Sequence, residues 1–341
     1  MHMADALLSP AVGATLWVAS SAAIVYSAKK VREQGDDRRI PLMGVLGAFI
    51  FAAQMINFTI PATGSSGHLG GGMILAALLG PYAGFLVMAS VLIVQALFFA
   101  DGGLLALGCN IFNLGFFTCF VAYPFIFRPL CGEPPRPGRL VGASLIAAVV
   151  GLQLGAFGVV LQTTLSGISE LPFTSFVLMM QPIHLGIGIV EGLATAAVLS
   201  FVWKARPELL TTERPLEAVS LKQVLVGLAV AALFTGGALS WFASSHPDGL
   251  EWSMFKVAGV EELEGPEAGL HHASAALQEK TAFMPDYSFK TARDAVEGED
   301  AAAWPAVDAG TSFAGLVGGL LTALFGAGFV WLLKRKKHPA N

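Results

Sequence analysis

Charge is what this sequence has least of. Asp, Glu, Lys and Arg make up 13% of its 341 residues, against ~25% in ordinary soluble domains. Only seven of them fall between Ile40 and Trp203: Asp101, Arg128, Glu133, Arg136, Arg139, Glu170 and Glu191. With hydrophobic residues at 55%, so long a stretch has no charged surface to offer water, which excludes a soluble globule and places most of the chain in a bilayer. Cysteine is scarce as well. Cys109, Cys119 and Cys131 are odd in number and two lie in an apolar run, so neither a disulfide framework nor a thiolate metal site is readable, and they fit as small core residues. The motif Gly-x-x-x-x-Gly-Lys-Ser/Thr is missing, and with it the phosphate cradle needed to hydrolyse ATP. Residues 1–10 hold no Lys or Arg, so no secretory n-region precedes the first apolar run and the N-terminus is expected to be retained. Nucleic acid is not an expected partner.

The few cations that occur set a topology. Lys29, Lys30, Arg32, Arg38 and Arg39 end the apolar run 11–28; the positive-inside rule puts them in the cytoplasm and the N-terminus outside. A second run, about 41–60, returns to a loop, 61–72, without Lys or Arg, so Met1-His2 and His68 are expected on the same outer side. Residues 73–100 are apolar but broken at Gly80-Pro81. Arg128, Arg136 and Arg139 lie inside only if this stretch crosses twice, and it is too short for two spans of about 20 residues each. The outer loop is therefore expected to dip into the membrane, a pointer to a buried binding site. Spans ending at Phe127, over 140–165 and over 173–203 complete the count.

The expected fold is an all-α integral membrane protein in the cell (inner) membrane. A seven-span bundle occupies residues 1–205 and a cytoplasmic linker 206–222. A second module, 223–341, has helices 224–243 and 311–333 flanking an outer segment, 244–310, with 13 acidic and four basic residues. Lys334-Arg-Lys-Lys337 is a cytoplasmic stop with some attraction for anionic lipid. His246, His271 and His272 are read mainly as part of a solvated acidic surface, with cation gathering as the alternative.

Met1-His2 offers one cation three nitrogens: the amine, the His2 amide once deprotonated, and imidazole Nδ1. His68, in a Gly-rich loop on the same side, is the natural fourth donor of a tetragonal set, which suits Ni(II) or Cu(II) better than Zn(II). Met1, His2 and His68 are the candidate ligands; an accidental second residue and an ordinary loop histidine are the alternatives. Polar residues inside spans are costly in lipid and usually face the bundle interior. Asp5 and Asn57 are preferred as supports for the imidazoles, followed by Gln95 and Asn110, with interhelical hydrogen bonding as the competing role. His184 and Glu191, seven apart on one helical face, are expected to pair. An enzyme reading makes Ser66, in Gly64-Ser-Ser-Gly67, and His184 an intramembrane protease dyad, but a four-residue motif without geometry is weak. A passive divalent-metal channel is the third class.

The segments Met1-His2-Met-Ala-Asp-Ala6, Gly64-Ser-Ser-Gly-His-Leu-Gly-Gly71, Leu79-Gly-Pro-Tyr82 and Gln95-Ala-Leu-Phe-Phe-Ala-Asp-Gly-Gly103, continuing to Asn110, resemble the CbiM/NikM substrate-capture components of energy-coupling-factor nickel and cobalt importers. The resemblance covers about residues 1–205. It implies a seven-span fold with the N-terminus tucked into the bundle, metal ligation by Met1, His2 and His68, and Ni(II) or Co(II) as transported substrate with no organic cofactor. It also implies as partners a transmembrane coupling subunit and separate ATPase subunits. The small-residue stripe Gly44, Ala48 and Ala52 would then suit docking of the coupling subunit, packing within the chain being the other reading. His246-Pro-Asp-Gly-Leu-Glu-Trp252 resembles the small accessory subunit with a Pro-Asp-Gly-Leu-Glu motif, here fused. Met3-Ala-Asp-Ala6 departs from many relatives, and Asp101 stands where they often have His, so Asp101 is not assigned as a ligand.

Overall fold

Local sequence sets where the helices begin and end. In the computed structural model, which describes residues 2–36, 39–205, 220–266, 268–289 and 304–335, α1 (Pro10–Gln34) opens with Pro10, whose missing N–H costs nothing at a first helical position. Ser9 caps it by accepting from Val12 N, and Gly35, at φ 67°, ends it in the left-handed conformation. α2 (Arg39–Gln54) leads to an antiparallel hairpin of β1 (Phe58–Ile60) and β2 (Ser65–Gly67), with Thr59 opposite Ser66.

The broken stretch that follows behaves as its length demands. α3 (Gly72–Leu79) has 8 residues, about 12 Å of helix at the usual rise, against a hydrocarbon core of ~30 Å. The buried residues Ser65, Ser66 and His68 precede it, so irregular chain supplies the rest of the passage. At its far end Leu79 O accepts from Arg39 Nη1 at 3.2 Å, which brings α3 to the end of the bundle where α2 starts. α4 (Pro81–Phe99) then returns. The loop does dip into the bundle, as the charge pattern requires.

α5 (Leu107–Ile111) continues without a break through a π-helical run, Phe112–Phe127, into α6 (Arg128–Cys131), a single apolar stretch of 25 residues. α7 (Pro137–Ser166) and α8 (Phe173–Ala205) finish the first module. The second has α9 (Leu221–Gly237), opened by a Ser220/Gln223 capping box, then α10 (Gly249–Ala258), opened by an Asp248/Glu251 box. α11 (Gly269–Thr281) and α12 (Ala309–Arg335) follow. Among the described residues six helices are long and apolar enough to cross a membrane. The other expected passages are the shorter α2, α3 and α9, so the all-α membrane class holds while the spans are less uniform than expected.

Two expectations change. The small-residue stripe on α2 is covered within the chain, because α12 lies along it: a Cβ added to Gly44 would stand 3.1 Å from Ala323 O, and one added to Gly319 would stand 3.7 Å from Ala48 Cβ, while Ala52 is buried. A face so occupied is not open to a separate coupling subunit. The described part of the acidic segment is not merely a solvated surface either, since α10 and α11 sit on the end of the bundle and His271 is buried. Most of the linker, 206–219, and the last residues of the basic tail lie outside the described residues.

Candidate metal centre

The N-terminal segment is laid into the bundle by its main chain. Asn110 brackets Met3, its Oδ1 accepting from Met3 N at 2.8 Å and its Nδ2 donating to Met3 O at 3.2 Å; Gly103 N donates to the same carbonyl at 3.0 Å. This fit needs glycine twice. Gly102 has φ +81°, and a Cβ on Gly103 would collide with the Asp5 carboxylate.

That placement stacks the imidazoles of His2 and His68, with ring centroids 5.1 Å apart and planes 4° from parallel. The His2 side chain is 7% exposed, and its Nδ1 lies 2.9 Å from Asp101 Oδ1, while Nε2 is buried without a hydrogen-bond partner. The other Asp101 oxygen accepts from Tyr287 Oη at 2.5 Å. Burial alone would raise the Asp101 pKa, but the adjacent His2 and the hydrogen bonds from His2 and Tyr287 hold the carboxyl below its usual range, so it stays ionised. His68 donates from Nδ1 to Leu69 O at 3.1 Å, which makes Nε2 its lone-pair nitrogen.

The loop carrying His68 is irregular backbone at depth, tolerable only where protein satisfies it. Glu191, 2% exposed, accepts from Gly70 N at 2.6 Å and Gly71 N at 2.8 Å. Gln54 Nε2 donates to Gly70 O at 2.7 Å, and Gln95 Nε2 to Gln54 Oε1 at 2.8 Å. Glu191 therefore does not pair with His184, whose Nδ1 donates to Met180 O; it is the anchor of the His68 loop.

The second module roofs this arrangement. His271 Nε2 donates to Leu8 O at 2.8 Å, Ser274 Oγ to Asp5 Oδ2 at 2.6 Å, and Gln278 Nε2 to Gly102 O at 2.8 Å. Ser66 N donates to Pro247 O at 2.8 Å and Trp252 Nε1 to Thr63 O at 3.0 Å, fastening α10 and the residue pair before it to the hairpin. Between roof and bundle lies an open-mouthed recess of about 400 Å³, lined by His2 and by Asp5, Asp101, Asp248, Glu251, Glu261, Glu262 and Asp286. Burial, then the neighbouring Asp248, pushes Glu251 up to about 7. Clefts lined by one sign of charge raise the local concentration of the opposite ion.

Several assignments move. Asp5 does not orient an imidazole; its Oδ1 accepts from Ala106 N at 2.9 Å and its Oδ2 from Ser274, and Asp101 takes the imidazole instead. Asn57 meets Ser244 N through its backbone carbonyl, at the hairpin rather than at His2. Gln95 bonds Gln54, and Asn110 brackets Met3. Ser66 donates its hydroxyl to His246 O, away from His184, so the protease dyad is not assembled. Met1 lies outside the described residues, among which no group of three or more His, Cys, Asp or Glu is placed to hold a metal ion. Sequence reasoning passed over Asp101, Tyr287 and Gln278 as parts of the site; the available signal was that Asp101 is the one charge in a Gly-rich turn between two apolar runs.

Comparison with known proteins gives two family matches: the cobalt uptake substrate-specific transmembrane region over residues 2–209 and the PDGLE domain over 222–335. The NikMN protein of Archaeoglobus fulgidus is 31% identical over 340 residues, covering 96% of this chain and 97% of that one. The fused nickel transport protein NikMN of Rhodobacter capsulatus is 29% identical over 313 residues, covering 84% and 88%. The cobalt transport protein CbiM of Geobacter sulfurreducens is 31% identical over 222 residues, covering 62% and 61%. The crystal structure of a truncated transition metal transporter superposes with a TM-score of 0.53 at 30% identity, covering 60% of this chain and 99% of that one.

Proposed function

Because this chain belongs to the CbiM family of cobalt-uptake substrate-specific transmembrane proteins, with a PDGLE domain after it, and is a multi-pass membrane component of cobalt and nickel transport, we propose that it captures Ni(II), or Co(II), at the outer face of the cell membrane. It delivers the ion inward when separate ATPase subunits, acting through a transmembrane coupling subunit, drive its reorientation. The N-terminus is outside and the C-terminus cytoplasmic. The observation that carries this reading is the pair of stacked, buried imidazoles, of which His2 lines an acidic recess.

The proposed ligands are the Met1 amine, the His2 amide nitrogen and Nδ1, and His68 Nε2. For this set to close, His2 Nδ1 exchanges its proton and its Asp101 contact for the cation, and Asp101 remains beside it as an ionised counter-charge. Four nitrogens in a plane favour Ni(II) over Co(II).

The test is Ni(II) binding, by calorimetry and visible absorption, together with uptake by the complete transporter. His68→Ala, and His2→Gln, which keeps a bulky second residue, are expected to lose high-affinity binding and uptake while remaining folded. Undiminished binding in either variant refutes the ligand set. Ni(II) flux through the chain without ATPase subunits would instead identify a passive channel.

A further inference from the structure

His184 sits on α8, one turn from its own Nδ1 partner Met180 O at 2.7 Å. The ring is 1% exposed, and its Nε2 is buried without a hydrogen-bond partner. A histidine that spends one ring N–H on a backbone carbonyl and keeps the other nitrogen as a bare lone pair has the form usually seen in metal-ligating imidazoles. His184 and His68 line one small cavity of about 10 Å³ together with Asp248 and Gly70, room for a single water-sized particle. The second module closes it: a Cβ on Gly249 would stand 3.0 Å from His184 Cε1, so only glycine lets α10 approach there.

His68 thus has a ring on each side, stacked on His2 in the outer recess and sharing the inner cavity with His184. Further along α8 stands Glu191, bonded to Gly70 N and Gly71 N, so the side chains run in series from the recess into the bundle.

We propose that the cavity between His68 and His184 is a second metal station, in which a divalent transition-metal cation leaving the outer site exchanges its Met1 and His2 nitrogens for His184 while keeping His68. This rests on the capture reading above. His68 and His184 bind as neutral donors, the His2 amide and imidazole that the ion leaves take back from water in the recess the protons they released on binding, and the carboxylate of Asp248 on the cavity wall offsets the charge of the ion. Two imidazoles bind more weakly than the outer set. A waypoint needs that weakness, because an ion held equally tightly at each step does not move on.

The experiment separates capture from passage in the full chain assembled with its transporter subunits. His184→Asn keeps an amide donor for Met180 O and deletes Nε2, whereas His184→Gln offers an amide near the Nε2 position. Equilibrium Ni(II) affinity is expected to stay within about twofold of wild type for both. Uptake is expected to fall about tenfold or more in His184→Asn and less in His184→Gln. Wild-type uptake by His184→Asn overturns the proposal, and so does a parallel loss of affinity and uptake, which marks a structural role. Crystals of the wild-type chain equilibrated with excess Co(II) give a check that no variant's folding affects: anomalous scattering at the cobalt edge should place a second peak beside His184 Nε2, and a peak at the outer site alone overturns the proposal. Failure of the capture reading is recognised separately, by unchanged Ni(II) binding in His68→Ala.

Discussion

Asp101 carries a role that its sequence context only half announces. It is a lone acid between apolar runs, which flags it, but its partners are His2 and Tyr287, 99 and 186 positions away, and no local pattern encodes such pairings. His2 and His68, the proposed ligands, stand out in the sequence through local features, a second-position histidine and a Gly-rich loop, and the structure stacks their rings. Asp5 was misassigned because closeness in sequence stood in for closeness in space. Asp101→Asn keeps an acceptor for Tyr287 and removes the charge beside His2, so Ni(II) affinity is expected to weaken about tenfold, measured by calorimetry at constant pH; unchanged affinity would reduce Asp101 to packing. Glu251 has a pH signature of its own. Its carboxyl is raised from 4.5 to about 7 by burial and Asp248, so its contribution to stability is full below about pH 4.5 and is lost as pH rises through about 7. Glu251→Gln keeps the oxygen that accepts from Asp248 N and does not ionise. The variant should therefore melt above wild type by a margin that grows from pH 4.5 to about 7 and then levels, and a pH-independent difference would contradict this.

At the scale of elements, hydropathy and charge located nearly every helix, including the break that makes α3 a half-length piece. They did not show which helix covers which, because an apolar face looks the same whether lipid or protein meets it. The stripe on α2 is the case in point: Gly44 meets Ala323 and Ala48 meets Gly319 of α12, a pairing no single-sequence period reveals. The separation of 3.7 Å between Ala48 Cβ and a Cβ built on Gly319 falls within the range a disulfide spans. Ala48→Cys combined with Gly319→Cys is therefore expected to cross-link under a membrane-permeant oxidant. Alkylation mass spectrometry would detect the loss of two reactive thiols, and two thiols remaining open would mean that α12 lies elsewhere.

At the scale of the molecule, family models match residues 2–209 and 222–335, and the descent of the second region onto the candidate metal site of the first is something neither the basic linker nor the acidic block announces. Those contacts run through main-chain carbonyls such as Leu8 O, Gly102 O and Thr63 O, which leave no trace in side-chain identity. A chain ending at Ala205 is expected to keep the bundle but to exchange the amide hydrogens of residues 3–8 faster and release Ni(II) sooner; unchanged exchange at Met3 would show that the roof is dispensable. Held on one polypeptide, floor and roof also meet at an effective concentration on the order of millimolar. Their pairing becomes a first-order event, fixed at one to one and indifferent to dilution or to how strongly the gene is expressed, whereas the same two modules made separately would have to find each other by collision in the plane of the membrane.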